Sequence, residues 1–255
     1  MEKIEQQVAL HFRDELRVAR AAALRDAEAF HAVVLVLERL GGFLEPMPRG
    51  SMGAFRKTME ELASSSPMAV EVPAMLPEYH SQFATQYELV RVGRNAALHE
   101  GALARHLTVT AVQLSLVLEE AIMHGYDSVS HFMVRNPVCA YLWQPLSFIR
   151  QTMLVNSFSF LPVPHNEDGK TVWKLVSDFR LAQYLRKDGA ICSKRLVHNL
   201  QTALDSHEME LLPAQTCGPD EKVEVVLRTP EGLPTLVLSP ANSELLGIVS
   251  PFDLL

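Results

Sequence analysis

Two stretches in the C-terminal half, WKLVSDFRLAQYL at 173–185 and LLGIVSPFDLL at 245–255, share the frame V-S-x-F-x-L. Ser177 matches Ser250, Phe179 matches Phe252 and Leu181 matches Leu254. Upstream of each frame lies a Pro-punctuated apolar segment, SFLPVP at 159–164 and PTLVLSP at 234–240. A repeat of this length and period makes this half a tandem of two similar units. Short β-branched and apolar runs (VRNPVCAYLW, SFSFLPVP, GKTVWKLVS, VEVVLRT, PTLVLSP, ELLGIVS) read as strands, and PLSFIRQTMLV and KRLVHNLQTALDS as helices between them. Strands and helices alternating in this way predict an α/β or α+β domain over residues 129–255, with copies at about 129–187 and 188–255.

Residues 1–128 have a different texture. EKIEQQVALHFRDELRVARAAALRDAEAFHAVVLVLERLGG carries apolar residues at three- and four-residue spacing, with Gly41-Gly42 as its stop. AFRKTMEELA predicts a short helix, and another runs from about Met75 through EYHSQFATQYELVRV. A last helix, TAVQLSLVLEEAIMHG, opens on a capping box, Thr110 three residues before Gln113. The expected fold class is therefore two domains, an all-α bundle followed by the α/β tandem.

The balance of charge restricts partners. The chain carries a net charge of −7, and residues 1–128 hold 12 Lys+Arg against 17 Asp+Glu. A protein that grips phosphate backbones over a whole face is usually basic, so any RNA contact here is local. The three cysteines form no CxxC pair and suggest a reducing compartment. The mixed-charge N-terminus reads as neither a signal nor a transit peptide. FHAVVLVLERL is far shorter than the roughly 20 residues a membrane span needs. A cytoplasmic protein without a membrane partner is expected. The remaining histidines show no ligand spacing, so no metal site is expected. Trp143 and Trp173 read as core residues of the tandem, with stacking on a base as the other reading.

The end of the second copy is chemically suggestive. GIVSPFDLL places Ser250 at a helix N-cap, Pro251 at the first helical position and Asp253 in the first turn. Free N–H groups at such an end favour a phosphate, and an ionised Asp can accept from both hydroxyls of a ribose. The same S-x-x-D is also simply a capped helix. The two copies together, the first over MVRNPVCAYLWQPLSFIRQTMLVNSFSFLPV…GKTVWKLVSDFRLAQYL and the second from ICSKRLVHNLQTALDSHEMELLPA to the end, resemble the CBS-domain pair. The resemblance implies one pseudo-symmetric unit that binds an adenine nucleotide (AMP, ADP or ATP) or S-adenosylmethionine as a regulatory ligand. It assigns Gly247, Ser250 and Asp253 to that site, and Ser177 to its counterpart. The first copy departs from the pattern, with Lys174 where Gly is usual and Arg180 where the ribose-binding Asp belongs.

The other polar cluster lies in RNAALHEGALARH at 94–106. On one continuous helix Arg94 and His99 are about 140° apart, whereas Asn95 and His99 share a face and His106 follows two turns on. A helix beginning near Gly93–Asn95 lets Arg94 swing over that face. A histidine titrating near neutrality can take the proton of a ribose 2′-hydroxyl, and an arginine can stabilise the charge on the attacked phosphate. No metal is required, and the product is a 2′,3′-cyclic phosphate. The same residues can instead form the polar rim of a bundle or dimer interface. Arg94-Asn95 followed by His99 in an all-α domain resembles the HEPN superfamily. That likeness implies either a metal-independent endoribonuclease with a dimer-composite site of Arg94, Asn95 and His99 acting on an RNA substrate, or a non-catalytic dimerisation or adaptor module. Both resemblances imply a homodimer.

Overall fold

The computed structural model describes residues 4–26, 29–46, 50–97, 101–167, 169–186, 190–228, 232–241 and 243–255. It divides into two compact units, Met1–Tyr126 and Asp127–Leu255. The first is all helical and the second combines helices with two sheets.

In the first unit α1 spans Gln6–Arg25, α2 Phe30–Leu44, α3 Met52–Ala63, α4 Glu71–Met75, α5 Phe83–Ala97 and α6 Gly101–Met123. α1 buries Ala9, Phe12, Leu16, Ala19 and Ala23, a three–four–three–four spacing that lays one apolar stripe along the helix. α6 is the central element and packs against α1, α2, α3 and α5. Its segment His106–Met123 is long and apolar enough to cross a membrane by length and composition, and 67% of it is buried inside the unit. Leu107, Ala111, Leu114 and Leu118 carry its inward face. Glu119, buried on the same helix, forms ion pairs with Arg17 and with Arg20 (2.6 Å), so a three-charge network ties α1 to α6 inside the bundle.

Several helix boundaries differ from the sequence expectation, each for a physical reason. α2 continues through Gly41-Gly42 to Leu44, just before Pro46. A Cβ on Gly41 would lie 2.6 Å from the ring of Phe55, so this glycine admits α3 against α2 and ends nothing. The helix expected from Met75 is split, because Pro77 follows α4 and α5 starts only at Phe83. Thr110 lies inside α6, not at its start. Its hydroxyl donates to the carbonyl of His106 (3.3 Å), the back-bonding available to a mid-helix Thr.

In the second unit β1 is Val134–Arg135, α7 Leu146–Asn156, β2 Phe160–Glu167, β3 Lys170–Ser177 and α8 Asp178–Leu185. Then come α9 Ser193–Val197, α10 Leu200–Asp205, β4 Leu212–Pro213, β5 Gln215–Cys217, a 3-10 turn at Val223–Arg228, β6 Thr235–Leu238, β7 Leu245–Val249 and a final 3-10 turn, Pro251–Leu254. The sheets run β1-β7-β6-β5 and β2-β3-β4. Each copy thus builds a hairpin, β2–β3 or β6–β7, and each hairpin accepts an antiparallel strand from the early part of the other copy. β1, early in the first copy, pairs with β7 (Val134 with Ile248, Arg135 with Gly247). β4, from the second, pairs with β3 (Leu212 with Leu175, Pro213 with Lys174).

The cores are exchanged in the same sense. The first copy's core of Leu146, Ile149, Leu161, Val163 and Val176 takes in Leu200, Ala203 and Met209, and the second copy's core of Cys217, Val226, Val237 and Val249 takes in Val129 and Met133. KRLVHNLQTALDS, which the sequence places in the second copy, packs into the first copy's core. The structural counterpart of α7 is the VEVVLR turn, expected as a strand. It lies on the crossover between β5 and its parallel neighbour β6, where a strand cannot run. Of VRNPVCAYLW only Val134–Arg135 is a strand, although the N–H of Ala140 does donate to the carbonyl of Pro162 beside β2 (2.9 Å).

The fully buried Tyr87 of α5 donates from its hydroxyl to the carbonyl of Met52 at 2.8 Å. Burial, with the Glu38 carboxylate nearby, pushes its phenol above the ordinary value. The native state holds this proton more tightly than the unfolded chain. The stability it contributes is intact below about pH 10 and is lost as pH rises beyond. Urea midpoints should fall above about pH 10. Tyr87→Phe should cost about 1–2 kcal/mol at neutral pH and show a shallower alkaline decline.

Candidate functional site

The repeat brings its matched residues to equivalent places. Ser177 ends β3 and caps α8, and Ser250 follows β7 and opens the last 3-10 turn. Their surroundings differ. Ser177 is buried, and its hydroxyl accepts the N–H of Arg180 at 3.2 Å, so it serves as a helix cap. Ser250 is half-buried and donates both its N–H (2.7 Å) and its hydroxyl (2.8 Å) to one oxygen, Oδ2, of Asp253. The structure therefore joins Ser250 and Asp253 in one hydrogen-bonded pair at the second unit's surface. The phosphate argument drawn from a helix N-terminus weakens here, since the turn is four residues long and Pro251 has no N–H to offer. What remains for a ligand is the Ser250 hydroxyl and the acceptor capacity of Asp253.

Gly247 has a structural explanation of its own. A Cβ there would lie 2.6 Å from Sδ of Met133, 2.9 Å from its Cγ and 3.0 Å from the Val134 carbonyl. The glycine lets the exchanged strand β1 and its methionine close over β7. In the first copy the equivalent place is Lys174, paired across from Pro213 on β4 and Val163 on β2. Its ammonium meets Glu167 at 2.6 Å and holds that carboxyl below the usual range. Here the space is open: a cavity of about 520 Å³ is lined by Lys174, His165, His207, Met209, Glu210 and Leu211. Nδ1 of His165 is buried with no hydrogen-bond partner among the described residues. Neither His165 nor His207 stands at a ligand spacing in the sequence. The signal that finds the former is strand register, since Val163 and His165 alternate onto the face that carries Lys174.

In the first unit Arg94 and Asn95 lie in the last turn of α5, not at the head of the following helix. The Arg94 guanidinium forms an ion pair with Glu38 of α2, and the same carboxylate accepts the N–H of Met52 (3.4 Å). A cation in the final turn also suits the helix dipole. His99 lies outside the described residues, as does the side chain of Asn95, and His106 is exposed on α6. Arg94 is thus brought to a carboxylate that the sequence reading did not pair with it. Among the described residues no group of three or more His, Cys, Asp or Glu is placed to hold a metal ion.

No family model and no curated protein matches the chain. Solved structures similar to half of it are CBS-domain proteins. The hexameric CBS-CP12 protein from bloom-forming cyanobacteria is 18% identical with a TM-score of 0.39, covering 50% of this chain and 68% of that one. The CBS-domain containing protein ATU1752 from Agrobacterium tumefaciens is 16% identical at a TM-score of 0.37, covering 51% and 92%. Protein MJ1225 from Methanocaldococcus jannaschii, proposed as an archaeal homolog of g-AMPK, is 17% identical at 0.38, covering 50% and 46%.

The contrast between Gly247 and Lys174 can be measured. Gly247→Ala should lose about 1–3 kcal/mol in chemical denaturation, with or without added nucleotide, because Met133 and the β1 backbone must move. Lys174→Ala, which removes only a half-exposed ion pair, should cost less than about 1 kcal/mol.

Proposed function

We propose that this protein is a regulatory CBS-pair protein that senses an adenine nucleotide or a related adenosyl ligand at Ser250 and Asp253. The observation that carries the reading is the two-residue device at the end of β7. A hydroxyl and a carboxylate of the repeat frame meet at a half-buried turn of the second copy. Arg180 takes the aspartate's place in the first, so one competent site per chain is proposed. Asp253 would accept from ribose hydroxyls and Ser250 would turn its hydroxyl to a phosphate, each giving up its bond to the other. Calorimetric titration with AMP, ATP and S-adenosylmethionine should show saturable binding of one of them, weakened about ten-fold or more by Asp253→Ala and left within two-fold by Arg180→Ala. No binding of any of the three would overturn the reading.

For the helical unit we propose self-association, making a cytoplasmic homodimer whose helical units respond to the ligand or dock a partner. The Arg94–Glu38 pair favours this non-catalytic role, since a neutralised arginine is poorly placed to receive phosphate charge. The second reading is a metal-independent endoribonuclease. It is favoured by the part-exposed position of Arg94 at the end of α5, beside the segment that carries His99. In that mechanism His99 takes the 2′-hydroxyl proton and the 2′-oxygen attacks the adjacent phosphorus. The bond to the 5′-oxygen breaks, that oxygen leaves as a 5′-hydroxyl with a proton from water, and a 2′,3′-cyclic phosphate remains, with Arg94 against the phosphate oxygens and Asn95 beside it. RNA cleavage in EDTA by wild type but not by a dimeric His99→Ala would establish this enzyme. Dimerisation without cleavage leaves the adaptor.

A further inference from the structure

Tyr141 and Trp143 form an unusual surface pair just before α7. Their rings are near parallel, at 16° with centroids 6.3 Å apart. Both face solvent, Trp143 at 71% and Tyr141 at 44% exposure. Single exposed aromatics are common and need no explanation, but these two ride on a backbone that is fixed from several sides. Gln144, buried beneath them, accepts the Tyr141 N–H through Oε1 (2.9 Å), and its own N–H donates to the Tyr141 carbonyl (2.9 Å). The Leu142 and Gln144 carbonyls accept N–H groups of Gln201 and Leu200 in α10, at 2.9 and 3.0 Å. Leu142 packs on the first copy's core. The turn therefore resists collapse, and neither ring is used to fill a core.

We propose that Tyr141 and Trp143 form a stacking platform for a nucleobase, separate from the Ser250–Asp253 device. Three observations support a planar heterocycle as occupant. The π faces are near parallel, so a third flat ring continues the stack. The supporting turn is preorganised, so binding costs little ordering entropy. Each side chain also carries a donor, the Tyr hydroxyl and the indole N–H, which suits the ring nitrogens and carbonyls of a base. Base–aromatic stacking tolerates any base, so the platform serves a free nucleotide or a nucleotide within single-stranded RNA by the same chemistry. It carries over to this pair the base-stacking alternative for Trp143, and the structure moves that residue from the expected core to the surface.

The chain has two tryptophans, so Trp173→Phe leaves Trp143 as the sole indole reporter. In that background, emission is followed during titration with AMP and with a ten-nucleotide oligoadenylate. Saturable quenching is expected, weakened about ten-fold or more by Tyr141→Ala and preserved by Tyr141→Phe, while Asp253→Ala leaves it unchanged. Quenching by AMP identifies a free nucleotide as the source. Quenching by the oligonucleotide alone identifies single-stranded RNA. The proposal is overturned by no saturable quenching from either probe, by equal binding in Tyr141→Ala and Tyr141→Phe, or by quenching from a soluble oligosaccharide but not from nucleotides. Loss of the signal in Asp253→Ala also overturns it, since the nucleotide would then be read from the Ser250 site. That arm separates failure of this platform from failure of the proposed nucleotide sensor.

Discussion

Met133 lies where a side chain on Gly247 would be, and the second unit is organised around that approach. β1 is only two residues long and could not hold a hairpin edge by its backbone bonds alone. What holds it is the burial of Val129 and Met133 with Val237 and Val249 on the far copy. The mirror arrangement, with β4 on β3 and Leu200, Ala203 and Met209 in the first core, means that neither copy has a complete core of its own. Each core is a small cluster, and a domain of that size gains little from hydrophobic burial unless a neighbour completes it. The tandem therefore folds as one body or not at all, which is the physical content of the repeat.

The exchange also explains why the two copies diverged where they did. In the second copy the close strand contact excludes any side chain, so glycine is dictated by packing. In the first, Lys174 stands at the same register and directs a charge toward Glu167 and a cavity. A repeat under one packing constraint would keep glycine in both places. The difference shows that the space beneath β3 is not required for closure, and the first copy is free to fill it with polar groups. Ser177 follows the same logic. Buried and bonded to Arg180, it is retained as a cap, whereas its counterpart Ser250 keeps a partly exposed hydroxyl.

The sequence made the fold class and the repeat legible because both rest on periodicity, which burial enforces directly. Alternation in SFLPVP and GKTVWKLVS became the β2–β3 hairpin, and the three–four spacing of Phe12, Leu16, Ala19 and Ala23 became α1. What could not be read was anything decided by a distant partner. Gly41-Gly42 looked like a stop because nothing local reveals Phe55. VEVVLR has strand composition, yet the β5–β6 crossover makes it a turn. KRLVHNLQTALDS falls in the second copy by position, and only the exchange of cores assigns it to the first. At the candidate sites the spacing of Ser250 and Asp253 already permits the local hydrogen bond between them, while their assignment to a ligand rests on the resemblance. Glu38, some fifty-six positions from Arg94, was not legible as its partner, because that pairing exists only once α2 and α5 are packed.

The bond between Ser250 and Asp253 constrains how a ligand can act at this turn. Asp253 takes both Ser250 donors on Oδ2, so a ribose hydroxyl can use the remaining acceptor sites of the carboxylate, while a phosphate that draws the Ser250 hydroxyl away replaces one bond. A hydrogen bond is worth a net ~0.5–1.5 kcal/mol, and an exchange of one for another is close to neutral. The exchanged Ser250 bond then adds little affinity of its own, and the Ser–Asp pair supplies orientation. A ligand alters a conformational equilibrium only by its differential affinity for the two states. For the proposed sensor the two states would be the closed pair and an opened one. The turn follows β7 directly, and β7 holds β1 and Met133 of the exchanged segment. In the proposed sensor, opening the pair would act next to the strand that joins the two copies, where even a bond exchange of little net energy could bear on the tandem's closure.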